Sequence, residues 1–314
     1  MTTTRQNVTF DSLGTTCDAW FYPGAERSPF DASTGRPVVV MAHGFAGTKD
    51  SGLDPYARRM ADAGLAVFAF DYRGFGLSGG EPRQRISMRA QAEDYRSAIV
   101  AAKRQPGIDP GRVILWGISQ SGGHALIVAG GRSDIAAVIS MVPLVNGLSA
   151  GVHHYPQVGA ASMLRSTVVG IGSALGAKAG RAPTMMPVVG RPGEKAALTS
   201  PGFYEDYLEI AGPSWRNEVD ASVGLELGSF RADKAAEDVD APVLMQIADF
   251  DQGAPPHAAA KAGFKARAEV RHYPCDHFDV FEGKDWFETA VAHQISFLTR
   301  HLTVEVPAAE AAAR

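Results

Sequence analysis

The 314-residue sequence predicts an α/β fold built on a mostly parallel, eight-stranded sheet flanked by helices. Three observations carry that reading: short apolar, β-branched runs recur along the chain, helix-like stretches separate them, and one segment near the start alternates in polarity. Residues 7–22 alternate around Gly14, which predicts an antiparallel hairpin at one sheet edge. The short runs 37–42, 65–70, 112–117, 136–141 and 242–247 are mostly apolar and read as buried strands of a parallel sheet, and 269–273, though it carries Glu269, Arg271 and His272, is grouped with them. Stretches 56–63, 88–103, 122–129, 256–264 and 286–302 supply the connecting helices, the last with Phe287, Val291, Ile295 and Leu298 at helical spacing.

The rhythm breaks between about Leu144 and Asp233. An insertion there is read as a lid rather than a second domain with its own core, giving a core of residues 1–146 and 234–304, a lid of 147–233 and a fraying, Ala-rich tail of 305–314. A helix is expected near 200–210. Met163, Leu164, Val168, Val169, Ile171, Leu175, Met185 and Met186 are expected to wall an apolar acyl pocket, to form a packed cap core, or to make a homodimer contact through the lid. His153-His-Tyr155 reads as a loop and not a metal site, because no third ligand has recognisable spacing. Trp215-Arg-Asn-Glu218 is expected near the mouth of the site.

Composition narrows the function class. A net charge of -4 with mixed signs offers no basic stripe for nucleic acid and no polybasic segment for anionic lipid. No apolar run approaches a membrane span, and the N-terminus lacks an apolar stretch after a basic start, so the expected location is cytoplasmic. Cys17 and Cys275 make no paired spacing and read as plain thiols. No dinucleotide fingerprint or phosphate-binding loop competes for the early glycines, and neither metal nor organic cofactor is expected.

The first chemical signal is Trp116-Gly-Ile-Ser-Gln-Ser-Gly-Gly-His124, directly after a strand and before an apolar helix. A sharp strand-to-helix turn lifts a serine hydroxyl clear of the sheet and requires tiny neighbours, here Gly117 and Ser121. The fifth position is Ser121 and not glycine, so Ser121 is itself a candidate nucleophile; Ser119 is preferred because it falls at the turn, whereas Ser121 lies inside the first helical turn. A serine hydroxyl needs an adjacent base, held in one tautomer by a third group. Both partners follow later strands: Asp249 or Asp251 after the first, His277 after the second, at the strand ends where open α/β sheets place their working residues. Asp251 is preferred, since it sits on the loop before a helix that Pro255 or Pro256 can open. His124 is read as a packing residue, and His43 as serving the loop around an oxyanion site. The Phe45 and Gln120 backbone N–H groups are the candidate oxyanion donors.

His43-Gly-Phe, Asp71-Tyr-Arg-Gly-Phe-Gly-Leu-Ser78, Gly117-Ile-Ser-Gln-Ser121, Asp251-x-x-x-Pro and His277 together resemble the α/β-hydrolase superfamily over about 20–302. Within it the chain is similar to bacterial X-prolyl-peptidase-like and dienelactone-hydrolase-like enzymes. The resemblance implies a serine hydrolase of small ester-like molecules, with lactone, thioester and X-Pro peptide bonds as alternatives, and treats 71–78 as a structural loop. A rival from another class is a non-catalytic ligand-binding protein on the same fold.

Overall fold

The computed structural model describes residues 4–303, so the expected tail of 305–314 lies outside the described residues. In chain order the strands are β1 (Gln6–Ser12), β2 (Thr15–Tyr22), β3 (Arg36–Ala42), β4 (Ala66–Phe70), β5 (Ile108–Ile118), β6 (Ile135–Met141), β7 (Met185–Met186), β8 (Val219–Asp220), β9 (Val243–Ala248) and β10 (Glu269–Tyr273). Eight of them form one sheet in the order β1-β2-β4-β3-β5-β6-β9-β10. The β1–β2 hairpin turns at Gly14, whose φ of 82° suits glycine, and β2 pairs antiparallel with β4. Every other pairing in this sheet is parallel.

The helices are α1 (Leu53–Asp62), α2 (Met88–Lys103), α3 (Gln120–Ala129), α4 (Gly147–Lys178), α5 (Phe203–Ile210), α6 (Val223–Ser229), α7 (Ala232–Ala235), α8 (Pro256–Lys265) and α9 (Phe287–Leu302). Strands β4 and β9 are buried at every residue, which is why they read as unbroken apolar runs. In α9 the buried residues include Phe287, Val291 and Leu298, the stripe its spacing predicts.

The loops after β3 and β4 are locked by charge. Lys49 Nζ lies 2.5 Å from Asp71 Oδ2 and 2.6 Å from Asp18 Oδ1, and Asp71 also accepts the Lys49 and Leu77 amides. Lys49 and Asp71 are buried, so removing Lys49 leaves Asp71 without its counter-charge, at a cost of about 3–5 kcal/mol. The structural reading of 71–78 has this physical content. Cys17 and Cys275 are buried, unpaired thiols.

Between the end of β6 at Met141 and the start of β9 at Val243, an isolated bridge joins Asn146 to Arg231 at the base of the insertion. Asn146 caps α4 by accepting the Ser149 amide at 3.1 Å, while its Nδ2 donates to Asp233 at 3.0 Å. The inserted pieces differ from expectation in two ways. His153, His154 and Tyr155 are helical, not loop: α4 runs through Pro156, kinks at Gly159 (φ 75°, ψ 159°) and resumes. Leu164, Val168, Val169, Ile171, Leu175 and Met185 do not wall a pocket; they are exposed. No described helix is long and apolar enough to cross a membrane.

Candidate active site

Ser119 sits where β5 turns into α3, with φ 57° and ψ -121°, a region that L-residues rarely occupy. The turn exists because its neighbours are small. A Cβ on Gly117 would stand 2.0 Å from the Ser121 carbonyl oxygen, and one on Gly123 would stand 2.2 Å from that of Leu144. The strained backbone is clamped at both groups of the serine: its N–H donates to Met141 at 2.8 Å, and its C=O accepts from Gly122 and Leu144, each at 3.0 Å.

The two candidate serines have opposite surroundings. Ser121 is fully buried, donates its hydroxyl to the His43 carbonyl and lies 2.8 Å from the Tyr72 hydroxyl. Ser119 Oγ makes no hydrogen bond among the described residues and keeps partial solvent access. A hydroxyl locked in the interior cannot reach a substrate, so the geometry favours Ser119.

The two candidate acids separate as cleanly. Asp249 pairs at 2.7 Å with His272, a surface contact. Asp251 is buried; its Oδ1 accepts the Gly253 and Ala254 amides at 2.7 and 2.6 Å, which aims Oδ2 at His277 Nδ1, 2.7 Å away. His277 is buried too. Burial pushes its pKa down, but the Asp251 charge, the hydrogen bond to Asp251 and the nearby Asp276 outweigh that, and the net shift is upward. With Nδ1 donating to the carboxylate, Nε2 is the free, basic nitrogen. The structure therefore brings Asp251 and His277 into contact, with Ser119 on the same rim of the sheet at the C-terminal end of β5.

The loop after β3 abuts the serine: a Cβ on Gly44 would lie 3.2 Å from Ser119 Cβ. Neither the Phe45 nor the Gln120 amide donates to an acceptor among the described residues. His43 donates its Nδ1 proton to the Gly44 carbonyl at 3.0 Å, while burial depresses its pKa and leaves Nε2 unpartnered. His124 is fully buried, which lowers its pKa to about 4, and Tyr72 packs against both imidazoles.

Of five insertion residues at the site, four escaped the sequence reading and the fifth, Trp215, was expected near the mouth. The Tyr207 hydroxyl donates to the Phe45 carbonyl at 2.7 Å, beside Trp215 Nε1, which donates to the Ala46 carbonyl at 3.1 Å. Phe203 on α5 packs on the His277 ring. On α4, His153 Nε2 donates to the Asp251 carbonyl at 3.0 Å and His154 Nε2 to that of Gly253 at 3.2 Å. Only Trp215 carried a usable signal, because partners separated by this much chain leave no spacing to read.

A family model described as alpha/beta hydrolase fold matches residues 37–284. Quorum-quenching protein AidA of Acinetobacter baumannii is 35% identical over 302 residues, 95% of this chain and 96% of that protein. Thiohydrolase aneE of Aspergillus aculeatus is 31% identical over 186 residues, 57% of this chain and 58% of that one. Among solved structures, the alpha/beta hydrolase GrgF from Penicillium superposes with a TM-score of 0.77 at 23% identity, covering 96% of this chain and all of the other. The chain belongs to the α/β-hydrolase family.

Proposed function

We propose that this α/β hydrolase is a serine hydrolase acting through an acyl-enzyme, with Ser119 as nucleophile, His277 as general base and Asp251 as the carboxylate that orients the imidazole. The observation that carries the reading is the buried Asp251–His277 hydrogen bond, on the rim where Ser119 is held at positive φ. His277 Nε2 takes the Ser119 proton as Oγ attacks the carbonyl carbon, and the Phe45 and Gln120 amides receive the developing oxyanion. Collapse breaks the bond to the leaving group, which departs with the proton from His277. Water then repeats the sequence: His277 removes its proton, the acyl group is released as acid, and the proton returns to Ser119. Among the described residues the Ser119 hydroxyl makes no hydrogen bond, and substrate binding tightens its approach to Nε2.

The favoured substrate is a small to medium carboxylic ester, with a lactone as its cyclic form. Residues 147–233 act as the lid, in which Phe203, Tyr207 and Trp215 stand over the oxyanion loop and the histidine. A thioester is the second reading, supported by the thiohydrolase relative.

A fluorophosphonate probe tests the chemistry. It should label Ser119 in the folded protein and not after heating; a folded protein that resists the probe would be a binding protein on a hydrolase scaffold. Matched p-nitrophenyl esters, lactones and acyl-thioesters then rank the substrates by kcat/KM, and a thioester ahead of its oxygen ester replaces the favoured reading with the second.

A further inference from the structure

Helix α4 beyond its kink at Gly159 is inside out. Against the protein it turns small or polar groups: a Cβ on Gly170 would stand 2.8 Å from the Ala221 carbonyl oxygen, and buried Ser173 donates to Asp220 at 2.7 Å while accepting the Thr184 amide at 2.9 Å. Toward solvent it turns Leu164, Val168, Ile171 and Leu175, which are 43–67% exposed. Their spacing places them on one helical stripe, where a surface helix ordinarily carries polar residues. An apolar stripe held outward by a hydrogen-bonded inner face is built to be covered.

Charge selects the occupant. From 135 to 193 the sequence contains no Asp or Glu, while Arg165, Lys178, Arg181 and Arg191 are all present in a chain whose net charge is -4. Lys178 lies on the stripe itself and Arg165 on its flank, at helical spacing. Two copies of this helix laid together would set cations against cations with no acid between them, which disfavours self-pairing. An anionic lipid surface instead accepts both features: acyl chains cover the apolar stripe and headgroups neutralise the cations. The cations are dispersed, so they form no polybasic run in the sequence.

We propose that the outer face of α4, residues 160–178, docks on anionic lipid bilayers as an interfacial helix. The proposal goes beyond the hydrolase reading and does not depend on it, because docking needs no turnover. Flotation of the full chain with phosphatidylcholine vesicles, with and without phosphatidylglycerol, tests it. The protein should float with the anionic vesicles, stay behind with the neutral ones and be released by salt. Replacing Arg165 or Lys178 by Gln should weaken binding about fivefold each. The double variant Val168→Glu/Leu175→Glu should lose vesicle binding while keeping its Tm, and Ser119→Ala should bind like the parent. Absence of flotation with anionic vesicles overturns the proposal. So does a parent that sediments as a dimer and becomes monomeric on Val168→Glu/Leu175→Glu, which assigns the face to a second copy.

Discussion

Two parts of the same insertion treat their side chains in opposite ways. The segment from α5 to Trp215 spends its polar groups on the core: Tyr207 and Trp215 hold the Phe45 and Ala46 carbonyls, and Ser214 donates its amide and hydroxyl to Asp50 at 3.0 and 2.9 Å. The second half of α4 makes one buried polar contact set at Ser173 and leaves its largest apolar residues in solvent. Tethering fixes donors relative to a reacting centre, which is what oxyanion stabilisation needs. A solvent-facing apolar helix contributes no such precision and is free to meet another surface. On the proposed readings, one insertion combines a clamp for the chemistry with a face for contact.

If that division holds, changes at the site alter turnover without touching the outer helix. The largest effect belongs to Ser119→Ala, which should reduce kcat by on the order of 10⁶. Ser121→Ala is the control: it should keep most turnover and lose stability, because the His43 carbonyl and Tyr72 hydroxyl lose a buried partner. Turnover that survives Ser119→Ala and dies with Ser121→Ala would transfer the nucleophile to residue 121.

Next in size is Asp251→Asn, expected to lower kcat by about 10⁴ through loss of the correct tautomer. It also has a pH signature. Asp251 raises the His277 pKa, and the base must be neutral, so the acid limb of kcat/KM in the parent should lie above the ordinary histidine range. Without the carboxylate the limb should move to lower pH, since burial alone depresses the imidazole. A limb that stays put means that another group titrates. For stability the sign is opposite to that of activity: a raised folded-state pKa stabilises the fold below the unfolded histidine value, and this contribution disappears as pH rises through the folded value.

The smallest effect sharpens the boundary between the two regions, because His153 lies on the first half of α4 yet donates to the Asp251 carbonyl. His153→Ala should lower kcat about tenfold by loosening the loop that carries the acid, with KM and vesicle binding little changed. His153→Gln, which restores a donor, should recover part of the loss. A rise in KM alone, with kcat intact, would place His153 in substrate binding instead.

The inner strands were legible because burial on both faces leaves its mark in each short run, as in β9, whereas β10, expected to be buried, lies at the sheet edge and is buried only at Tyr273. The elbow was legible for a similar reason: Gly117 is demanded by the Ser121 backbone, two residues beyond Ser119. The long helix α4 was not legible: Pro156 lies inside it and Gly159 kinks it, and both residue types ordinarily disfavour a helix. Whether its apolar residues face inward or outward was left open, because the sequence shows that they recur and not which way they face.

Sequence alone thus determined the α/β alternation, the sheet of eight strands and the short list Ser119, Ser121, Asp249, Asp251 and His277. Tertiary structure gave them different surroundings, burying the Ser121 hydroxyl, sending Asp249 to His272 and setting Asp251 against His277. It also recruited His153, Tyr207 and Trp215 to the loops they hold. The reason is range: strand periodicity and turn sterics act between neighbours in the chain, whereas a hydrogen bond between residues scores of positions apart depends on where the whole fold places its loops.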